Sequence, residues 1–400
     1  MDFSFPSEDD PRRLEVRNWL EENPNPTYRQ IAERGYAVPH WPKPWGLSAN
    51  PETQLIIDDE LMRAGIKLPY LKNPVAVNQC GQSLLVHGNE EMRQKYLPDA
   101  IACEARWCML FSEPSCGSDL GALRTQARRD GDDYIISGQK IWNSIAHEAQ
   151  VGVVLVRTDP AVPKHQGLSM FLVDMDTPGV EVRRILDMSG SEPEFNEVFF
   201  TDVRVSSKNR LGEEGDGWKI VLEQLQTERM GMTKPGAVWG FGPTAREFVD
   251  SLIETGKIDD PLVRDEAARL YVEGELLRLL TYRNLSHRIN GTPAGLEGSI
   301  GKMIASPHGQ RLSDLEKRIE GLAGMVRGGN PLPLPEKEYG RFDTWDYSYW
   351  FAPAATLGVG TQEVLKNVVS ERMLGLPRDT DPTARIPYNE VGKAPLKAVG

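Results

Sequence analysis

The sequence contains few residues of the kinds that hold metals or disulfides. Its 400 residues include only four cysteines and six histidines. The cysteines show neither the paired spacing of a zinc site nor the framework of a small secreted domain, and the histidines do not cluster at metal-ligand spacing. We therefore predict no metal site, four ordinary free thiols and a reducing compartment, the cytoplasm.

A long apolar run and an excess of basic charge are also missing. No stretch reaches the roughly 18 consecutive apolar residues of a membrane-spanning helix, so none is predicted. The acidic first residues resemble neither a signal peptide nor an Arg-rich transit peptide. With 46 basic against 58 acidic side chains, the formal charge is −12. This balance argues against a nucleic-acid partner, because phosphate binding needs a basic patch.

Hydrophobic residues make up 40% of the chain, which predicts a large core divided among two or three domains. Apolar residues at helical spacing dominate the chain up to about Trp107 and again after Gly217. Between these regions, short β-rich runs separated by Asp-Gly, Asp-Pro and Pro-Gly turns predict an antiparallel sandwich or barrel.

The same patterns define individual elements. Predicted strands cover 134–136, 151–157, 168–174, 180–185 and 197–205. Predicted helices in the last part of the chain cover 218–232, 245–252, 260–288, 298–322 and 362–374. The proline-rich segment 328–336 is predicted to be a loop. Because the tail after Pro377 has no apolar periodicity, we predict that it is either disordered or packed on a partner.

A run of turn-forming and hydroxyl residues, Phe-Ser-Glu-Pro-Ser-Cys-Gly-Ser-Asp, occupies positions 111–119. Pro114 and Gly117 interrupt regular structure, while serine hydroxyls and exposed backbone amides are suited to hold a flat polar ligand or a phosphate. An ordinary surface loop has a similar composition, so this run alone leaves both interpretations open. A second run, Gly-Gln-Lys-Ile-Trp-Asn-Ser, follows at 138–144.

Together these two motifs resemble those of the acyl-CoA dehydrogenase family of flavoenzymes. Further matches, which extend the resemblance over nearly the whole chain, lie at 194–200, 202–205, 212–218, 360–364 and 374–377. The resemblance implies an FAD-dependent enzyme that removes two hydrogens from the Cα–Cβ bond of an acyl-CoA thioester. A carboxylate takes the α proton, the β hydrogen leaves as hydride to flavin N5, and electrons pass to an electron-transfer flavoprotein.

The resemblance also implies an α+β multi-domain fold. A helical N-terminal domain would cover 1–105, a central antiparallel β-barrel or sandwich domain 106–215, and a C-terminal domain like a four-helix bundle 216–400. Members of the family are typically tetramers packed through the C-terminal helices. The implied assembly is a homotetramer or a heterotetramer.

Site residues follow from the same resemblance. Trp142 would lie against the flavin ring, although a packed aromatic of the β domain is the alternative, and Ser144 would place a hydroxyl near flavin N5. The implied FAD contacts are Phe111, Ser112, Gly117, Trp142, Ser144, Gly360, Thr361 and Glu363, to which Arg264 is added below. The implied substrate contacts are Ser118, Arg229 and Val359.

The catalytic base departs from the commonest family pattern. Many members carry it as a Glu immediately before the Gly-Thr of the C-terminal motif, where this chain has Val359. A second base location in the family is a Glu just before an Arg on the first helix of the C-terminal domain. Glu228-Arg229 matches that location, and the change resembles branches acting on branched, cyclic or steroid side-chain acyl groups.

Helical geometry supports Glu228 independently. At about 100° per residue from Val221, Leu225 falls at about 40° and Glu228 at about −20°, inside the apolar stripe, whereas Glu223 falls on the opposite face at about 200°. Burial raises the pKa of a carboxyl group, which suits a general base. The alternative is a structural ion pair of Glu228 with Arg229 or Arg264.

Another family segment, Arg-Xaa-Xaa-Phe-Gly, is absent after Thr244. Arg264 is the predicted substitute for its contact with the FAD diphosphate, with an exposed helix charge as the equal alternative. The missing segment and Val359 favour a second hypothesis, a non-catalytic or half-site subunit that completes the FAD site of a partner. A third hypothesis is an oxidase or flavin monooxygenase on the same fold.

Overall fold

The computed structural model describes residues 6–188, 194–230, 244–291, 297–325 and 345–391. By their contacts, these residues divide into two compact units. The first unit contains residues 6–185, 194–227 and 379–391, and the second contains 186–188 and the described residues between 228 and 378.

Helices with clear capping signals open the first unit. Asp10 caps α1, Thr27 forms a reciprocal capping box with Gln30 at the start of α2, and Asn50 caps α3. A π-helical turn, Val75–Cys80, precedes α5. The helices are α1 (Pro11–Glu22), α2 (Tyr28–Glu33), α3 (Pro51–Arg63), α4 (Pro69–Lys72), α5 (Gly81–His87) and α6 (Glu90–Ile101).

Eight strands form one sheet in this unit, in the order β6-β7-β3-β2-β4-β5-β8 with β1 pairing with β4. The strands are β1 (Trp107–Leu110), β2 (Gln126–Asp130), β3 (Asp133–Ile141), β4 (Val151–Arg157), β5 (Leu168–Asp174), β6 (Val180–Arg184), β7 (Asn196–Ser206) and β8 (Arg210–Leu211). The five predicted strands are confirmed, and those at 151–157 and 168–174 have the predicted bounds. The strands β1, β2 and β8 were not predicted.

The sequence predicted an antiparallel sheet, but the observed sheet is mixed. Strands β1 and β2 both run parallel to β4 and contact it at different heights, because β1 pairs with Val151–Val154 and Gln126 of β2 pairs with Arg157. The chain leaves the sheet after Leu110 and rejoins it at Gln126, again alongside β4 and in the same direction. The segment 111–125 is therefore an excursion from the sheet, and this excursion carries the first motif.

Strand β4 is buried along its whole length because both faces of the sheet are covered. Val153 and Leu155 pack in a core with the N-terminal helices, while Val154 and Val156 pack in a core with β3 and β7. Successive side chains of a strand point to opposite faces, so a strand between two cores reads as a continuous apolar run. The sheet thereby gives the excursion a rigid base.

The tail after Pro377 returns to the first unit, so the prediction that it is disordered or bound to a partner is wrong for residues 379–391, here called the C-terminal strap. The Tyr388 ring stacks on the Arg157 guanidinium at 3.5 Å, and its hydroxyl donates to the Ala122 carbonyl at 3.0 Å. The amides of Tyr388 and Asn389 donate to the carbonyls of Val162 and Pro160. The prediction was wrong because it relied on apolar periodicity, and these isolated hydrogen bonds and ring contacts do not require any.

An ion pair of the C-terminal strap makes its attachment sensitive to acid. Asp381 lies 3.2 Å from Lys164 Nζ, and hydrogen bonds from Thr383 together with Lys164 lower the pKa of Asp381 to about 2. Because this pKa lies below the unfolded value, the stabilisation is present above about pH 4 and is lost as the pH falls towards 2. We expect Asp381→Asn to lower the free energy of unfolding by about 0.2–1 kcal/mol at pH 6 and by progressively less below pH 4. Urea unfolding of both proteins across this range measures the difference, and a constant difference would contradict the assignment.

The second unit is helical. Helix α10 packs against α9, α11 and α12, and a core around Phe248, Leu270 and Leu312 lies between α8, α9 and α10. The helices are α7 (Gly217–Met230), which begins in the first unit, α8 (Ala245–Glu254), α9 (Pro261–Ile289), α10 (Glu297–Glu320), α11 (Trp345–Leu357) and α12 (Gln362–Arg372). The predicted helices are confirmed, α11 was not predicted, and the predicted loop at 328–336 lies outside the described residues.

Candidate active site

The excursion 111–125 begins with a tight turn. Glu113 and Cys116 exchange both backbone hydrogen bonds across Pro114 and Ser115, at 2.9 and 3.0 Å. Phe111, Glu113 and Cys116 are buried, whereas Gly117 and Ser118 are exposed and Ser112 is half-buried. The turn therefore presents its hydroxyls and one glycine to solvent above a buried anchor.

That anchor is an ion pair inside the first unit. The Lys140 side chain has no exposure, and its Nζ donates to Glu113 Oε1 at 2.9 Å and to the Phe111 carbonyl at 3.0 Å. The backbone amides of Arg124 and Thr125 donate to the same carboxylate at 2.6 and 2.8 Å. Burial opposes ionisation of Glu113, but Lys140 and these hydrogen bonds outweigh it and hold the pKa of Glu113 below its usual value.

The second motif lies where β3 ends. Trp142 has a positive φ of 63°, an unusual conformation for a bulky residue, and its side chain is 57% exposed. Asn143 and Asn196 hold the segment in place: Asn143 N donates to Asn196 O at 3.1 Å, and Asn196 Nδ2 donates to Asn143 O at 2.8 Å. Asn143 Nδ2 also donates to the Met109 carbonyl at 2.8 Å. Trp142 is thus an exposed aromatic on a firmly held backbone.

The two motifs meet through the backbone. Ile141 N donates to Ser112 O at 2.9 Å, so the excursion and the end of β3 form one surface. Trp142 and Ser144 are exposed just after this junction, and Ser115 and Ser118 are exposed on the excursion. A Cβ added at Gly117 meets no protein atom within 4 Å, which leaves room for a ligand. Aromatic area, hydroxyl donors and open backbone fit the flat, polar-edged ring of a flavin.

The proposed base lies on α7. Ile220, Val221 and Gln224 are buried on one face of this helix, and position 228 shares that face because it follows Val221 by two turns and Gln224 by one. Glu223 lies on the other side, 47% exposed, with its carboxylate 2.7 Å from His87 Nε2. The side chains of Glu228 and Arg229 lie outside the described atoms, so the helix supports the position and the role of Glu228 stays a prediction.

The C-terminal motif forms the turn before α12. Val359 has φ 58° and Gly360 has φ 92°, and the buried Lys302 donates from Nζ to the Gly360 carbonyl at 2.6 Å. Thr361 caps the helix by accepting a hydrogen bond from Val364 N at 3.3 Å. A β-branched residue in the left-handed region is an outlier, and such strain concentrates at functional sites.

Arg264 is exposed near the start of α9, where its Nη1 donates weakly to the Ile258 carbonyl at 3.5 Å. This position is compatible with both earlier interpretations, the diphosphate contact and the exposed helix charge. Glu363 lies in the first turn of α12 in the same unit. The structure thus places Phe111, Ser112, Gly117, Ser118, Trp142 and Ser144 together in the first unit, and Arg264, Val359, Gly360, Thr361 and Glu363 in the second.

Apart from the buried Phe111, sequence reasoning selected exposed or half-buried members of the first two motifs and missed the buried polar residues that hold them. Glu113, Lys140 and Asn143 stand inside the two motifs, and Asn196 stands in a third matching segment. A charged residue flanked by motif positions was the available signal, since charges are almost never fully buried unless paired. Lys302, which contacts the C-terminal motif, had no signal of this kind.

Neither a membrane-crossing helix nor a metal cluster is found in the described parts of the chain. Its helices there are too short or too polar to span a bilayer. Within the same ranges, histidine, cysteine and acidic side chains form no group of three or more that could hold a metal ion. None of the four cysteines, all of which the structure describes, forms a disulfide.

Comparison with known proteins assigns the chain to a family. The models of the acyl-CoA dehydrogenase N-terminal, middle and C-terminal domains match residues 8–104, 108–203 and 215–374. The chain is 35% identical to acyl-CoA dehydrogenase FadE34 of Mycobacterium tuberculosis over 87% of its length, but it spans only 46% of that relative. It is 31% identical to acyl-CoA dehydrogenase IpdE1 of the same organism, covering 88% of this chain and 87% of the relative.

Two solved structures share the whole architecture. One is the ChsE4-ChsE5 complex from Mycobacterium tuberculosis, with a TM-score of 0.75, 28% identity and coverage of 95% of this chain and 100% of that one. The other is the Tcur3481-Tcur3483 steroid ACAD, with a TM-score of 0.74, 28% identity and the same coverage of both chains. The sequence motifs, the fold and these similarities lead to one conclusion: the chain belongs to the acyl-CoA dehydrogenase family of FAD-dependent oxidoreductases.

Proposed function

We propose that this chain catalyses the FAD-dependent α,β-dehydrogenation of an acyl-CoA thioester with Glu228 as the base. The observation that carries the proposal is the junction of the two motifs, where the half-buried Ser112 and the exposed Trp142 and Ser144 lie on backbone held by buried polar contacts. Family membership supplies the reaction class. The three-domain division at 1–105, 106–215 and 216–400 is part of this proposal.

The residues of the first unit would hold the cofactor ring. Trp142 offers the face of its indole, Ser112 and Ser144 offer hydroxyl donors, and Gly117 lets a ligand approach the backbone. Phe111 supports this surface from below. When bound, FAD accepts the β hydrogen of the acyl group as a hydride.

The family resemblance assigns further contacts to residues of the second unit. Gly360, Thr361 and Glu363 would contact FAD from the start of α12, and Arg264 would contact its diphosphate. Ser118, Arg229 and Val359 would line the path of the acyl-CoA. Glu228 would remove the α proton as the general base.

The proposed substrate is a branched, cyclic or steroid side-chain acyl-CoA. Val359 supports this choice because valine is smaller than glutamate and leaves space at the position where many family members carry the base. A solved relative is itself called a steroid ACAD. The proposed electron acceptor is an electron-transfer flavoprotein, the proposed assembly a homotetramer or heterotetramer, and the proposed location the cytoplasm.

An anaerobic titration tests the reaction and the substrate class together. The chain is purified with FAD, and its visible spectrum is recorded before and after adding acyl-CoA thioesters from short straight chains to bulky ring-bearing ones. We expect bleaching of the flavin by the bulky class. Bleaching by short straight chains alone would contradict the substrate class. Rapid reoxidation of the reduced flavin by oxygen would contradict the dehydrogenase assignment and favour an oxidase.

A second candidate function is a half-site subunit that completes the FAD site of a different chain. The specific observation in its favour is that a structural relative is a complex of ChsE4 with ChsE5. Val359 in place of the commonest base favours it as well. The flavin content of the chain purified alone separates the two candidates: about one FAD per chain supports the enzyme, and a colourless protein that gains FAD only with a partner chain supports the half-site subunit.

A further inference from the structure

The buried ion pair between Lys140 and Glu113 joins two segments of backbone at a large desolvation cost. Both charges lose their hydration, and apolar side chains of similar size are often as stabilising as a buried ion pair. Yet the pair is fully integrated, since Lys140 also donates to Phe111 and the Glu113 carboxylate accepts three hydrogen bonds. Stability alone does not account for such an arrangement.

The pair acts directly on the exposed surface of the site. Ser112 lies between Phe111 and Glu113, both of which are bonded to Lys140 Nζ. Trp142 follows Lys140 by two residues, and the amide between them, Ile141 N, donates to Ser112 O. A displacement of the Lys140 ammonium therefore moves Ser112 and Trp142 relative to each other.

The register of β3 directs Lys140 inward. A β-bulge lies between Ile136 and Gly138, and Gly138 has φ 152° with its α-carbon against Thr125. A Cβ at Gly138 would approach Thr125 Cα to 2.7 Å. Thr125 is also the residue whose amide donates to Glu113. The bulge, the end of the excursion and the ion pair thus form one connected support.

We propose that Glu113 and Lys140 are positioning residues for the cofactor, which fix the separation of Ser112 and Trp142 at the value that the flavin ring requires. The inference rests on the proposed function, because that proposal assigns the flavin contacts to Ser112 and Trp142. Glu113 and Lys140 are themselves buried.

Four variants test whether Glu113 and Lys140 position Ser112 and Trp142 or only neutralise each other's charge. Glu113→Gln and Lys140→Met each leave one buried charge without its partner, and either protein is at risk of failing to fold. The double variant Glu113→Gln/Lys140→Met removes both charges and keeps the side-chain sizes. Glu113→Asp keeps the charge and shortens its reach. Lys95→Met is the matched control, because Lys95 forms an exposed ion pair with Asp174 in the same unit.

Three measurements are required: thermal unfolding, one readout with flavin and one without. The dissociation constant of FAD is measured by reconstitution of the apoprotein. The environment of Trp142 is measured in the apoprotein by the ¹⁹F resonance of incorporated 5-fluorotryptophan, assigned with Trp142→Phe. For the double variant and Glu113→Asp we expect near-normal thermal unfolding, a shifted or broadened Trp142 resonance and about tenfold or weaker FAD binding, the scale of one charged hydrogen bond. Lys95→Met should match the wild type in all three measurements.

An unchanged Trp142 resonance and unchanged FAD affinity in the double variant would overturn the proposal. Glu113 and Lys140 would then only neutralise each other's buried charge. A wild-type chain that takes up no FAD even when FAD is added would contradict the proposed function instead. In that case the Trp142 resonance of the apoprotein still decides the positioning role, because it needs no cofactor.

Discussion

Replacement of Glu228 by glutamine is expected to slow reduction of the bound flavin by saturating acyl-CoA by about 10²- to 10⁴-fold, the usual contribution of a general base. Glutamine keeps the length and shape of the side chain but has no basic oxygen for the α proton. FAD should stay bound, because the proposed cofactor contacts lie on other residues. Anaerobic stopped-flow absorbance of the flavin measures the rate, and the spectrum of the resting protein measures its FAD content.

Glu223→Gln is the matched control, since it makes the same substitution on the same helix. Glu223 lies on the exposed side of α7 beside His87, so its replacement should leave flavin reduction within about twofold of the wild-type rate, as expected for a surface substitution. Equal rates in Glu228→Gln and the wild type would remove Glu228 from the mechanism. The structural alternative, an ion pair of Glu228 with an arginine, predicts a loss of thermal stability with little change in rate.

Introduction of glutamate at position 359 is expected to restore part of the activity lost in Glu228→Gln. This is the position at which many family members carry the base. Val359 has φ 58°, and glutamate, which is not branched at Cβ, tolerates this conformation better than valine. We expect Glu228→Gln/Val359→Glu to reduce its flavin about tenfold or more faster than Glu228→Gln alone with straight-chain acyl-CoA substrates.

The control for this rescue is Glu228→Gln/Val359→Gln, which adds the same bulk without a base. If both double variants are equally slow, position 359 is not within reach of the α proton in this chain. If FAD or substrate is lost from both, the small side chain of Val359 is required for space. Either result would leave Glu228 as the single base position for this enzyme.

The strands with the strongest local signal could be predicted to the residue. Val151–Arg157 and Leu168–Asp174 are continuous β-rich runs between turns, because each lies in a sheet covered on both faces. Strand β2 could not be predicted from its sequence, Gln-Ala-Arg-Arg-Asp, which is mostly polar and exposed. The parallel pairing of β1 and β2 with β4 depends on where the chain rejoins the sheet after an excursion, which no local pattern contains.

In the site, too, residues with a local sequence signal could be predicted and those that depend on distant contacts could not. The half-buried Ser112 and the exposed Trp142 and Ser144 were identified because the motifs name them by resemblance. Glu113 and Lys140 stand in the same motifs, but they are 27 residues apart, and the sequence does not show that they pair with each other. The positive φ of Trp142 was also unpredicted, because it results from the hydrogen bonds between Asn143 and Asn196.

Because the C-terminal strap is translated last, its contacts with the first unit form late in synthesis. Tyr388 contacts Ala122 across 266 residues of sequence, and residues 228–378 of the second unit lie between them. At about 5–20 residues per second, translation leaves Ala122 without this contact for roughly 13–53 s. Once residue 227 has been translated, the first unit has all of its strands and α1–α6 but still lacks Tyr388 on Arg157 and Asp381 on Lys164. A nascent chain therefore acquires the last support of its excursion 111–125 only after the second unit has been translated.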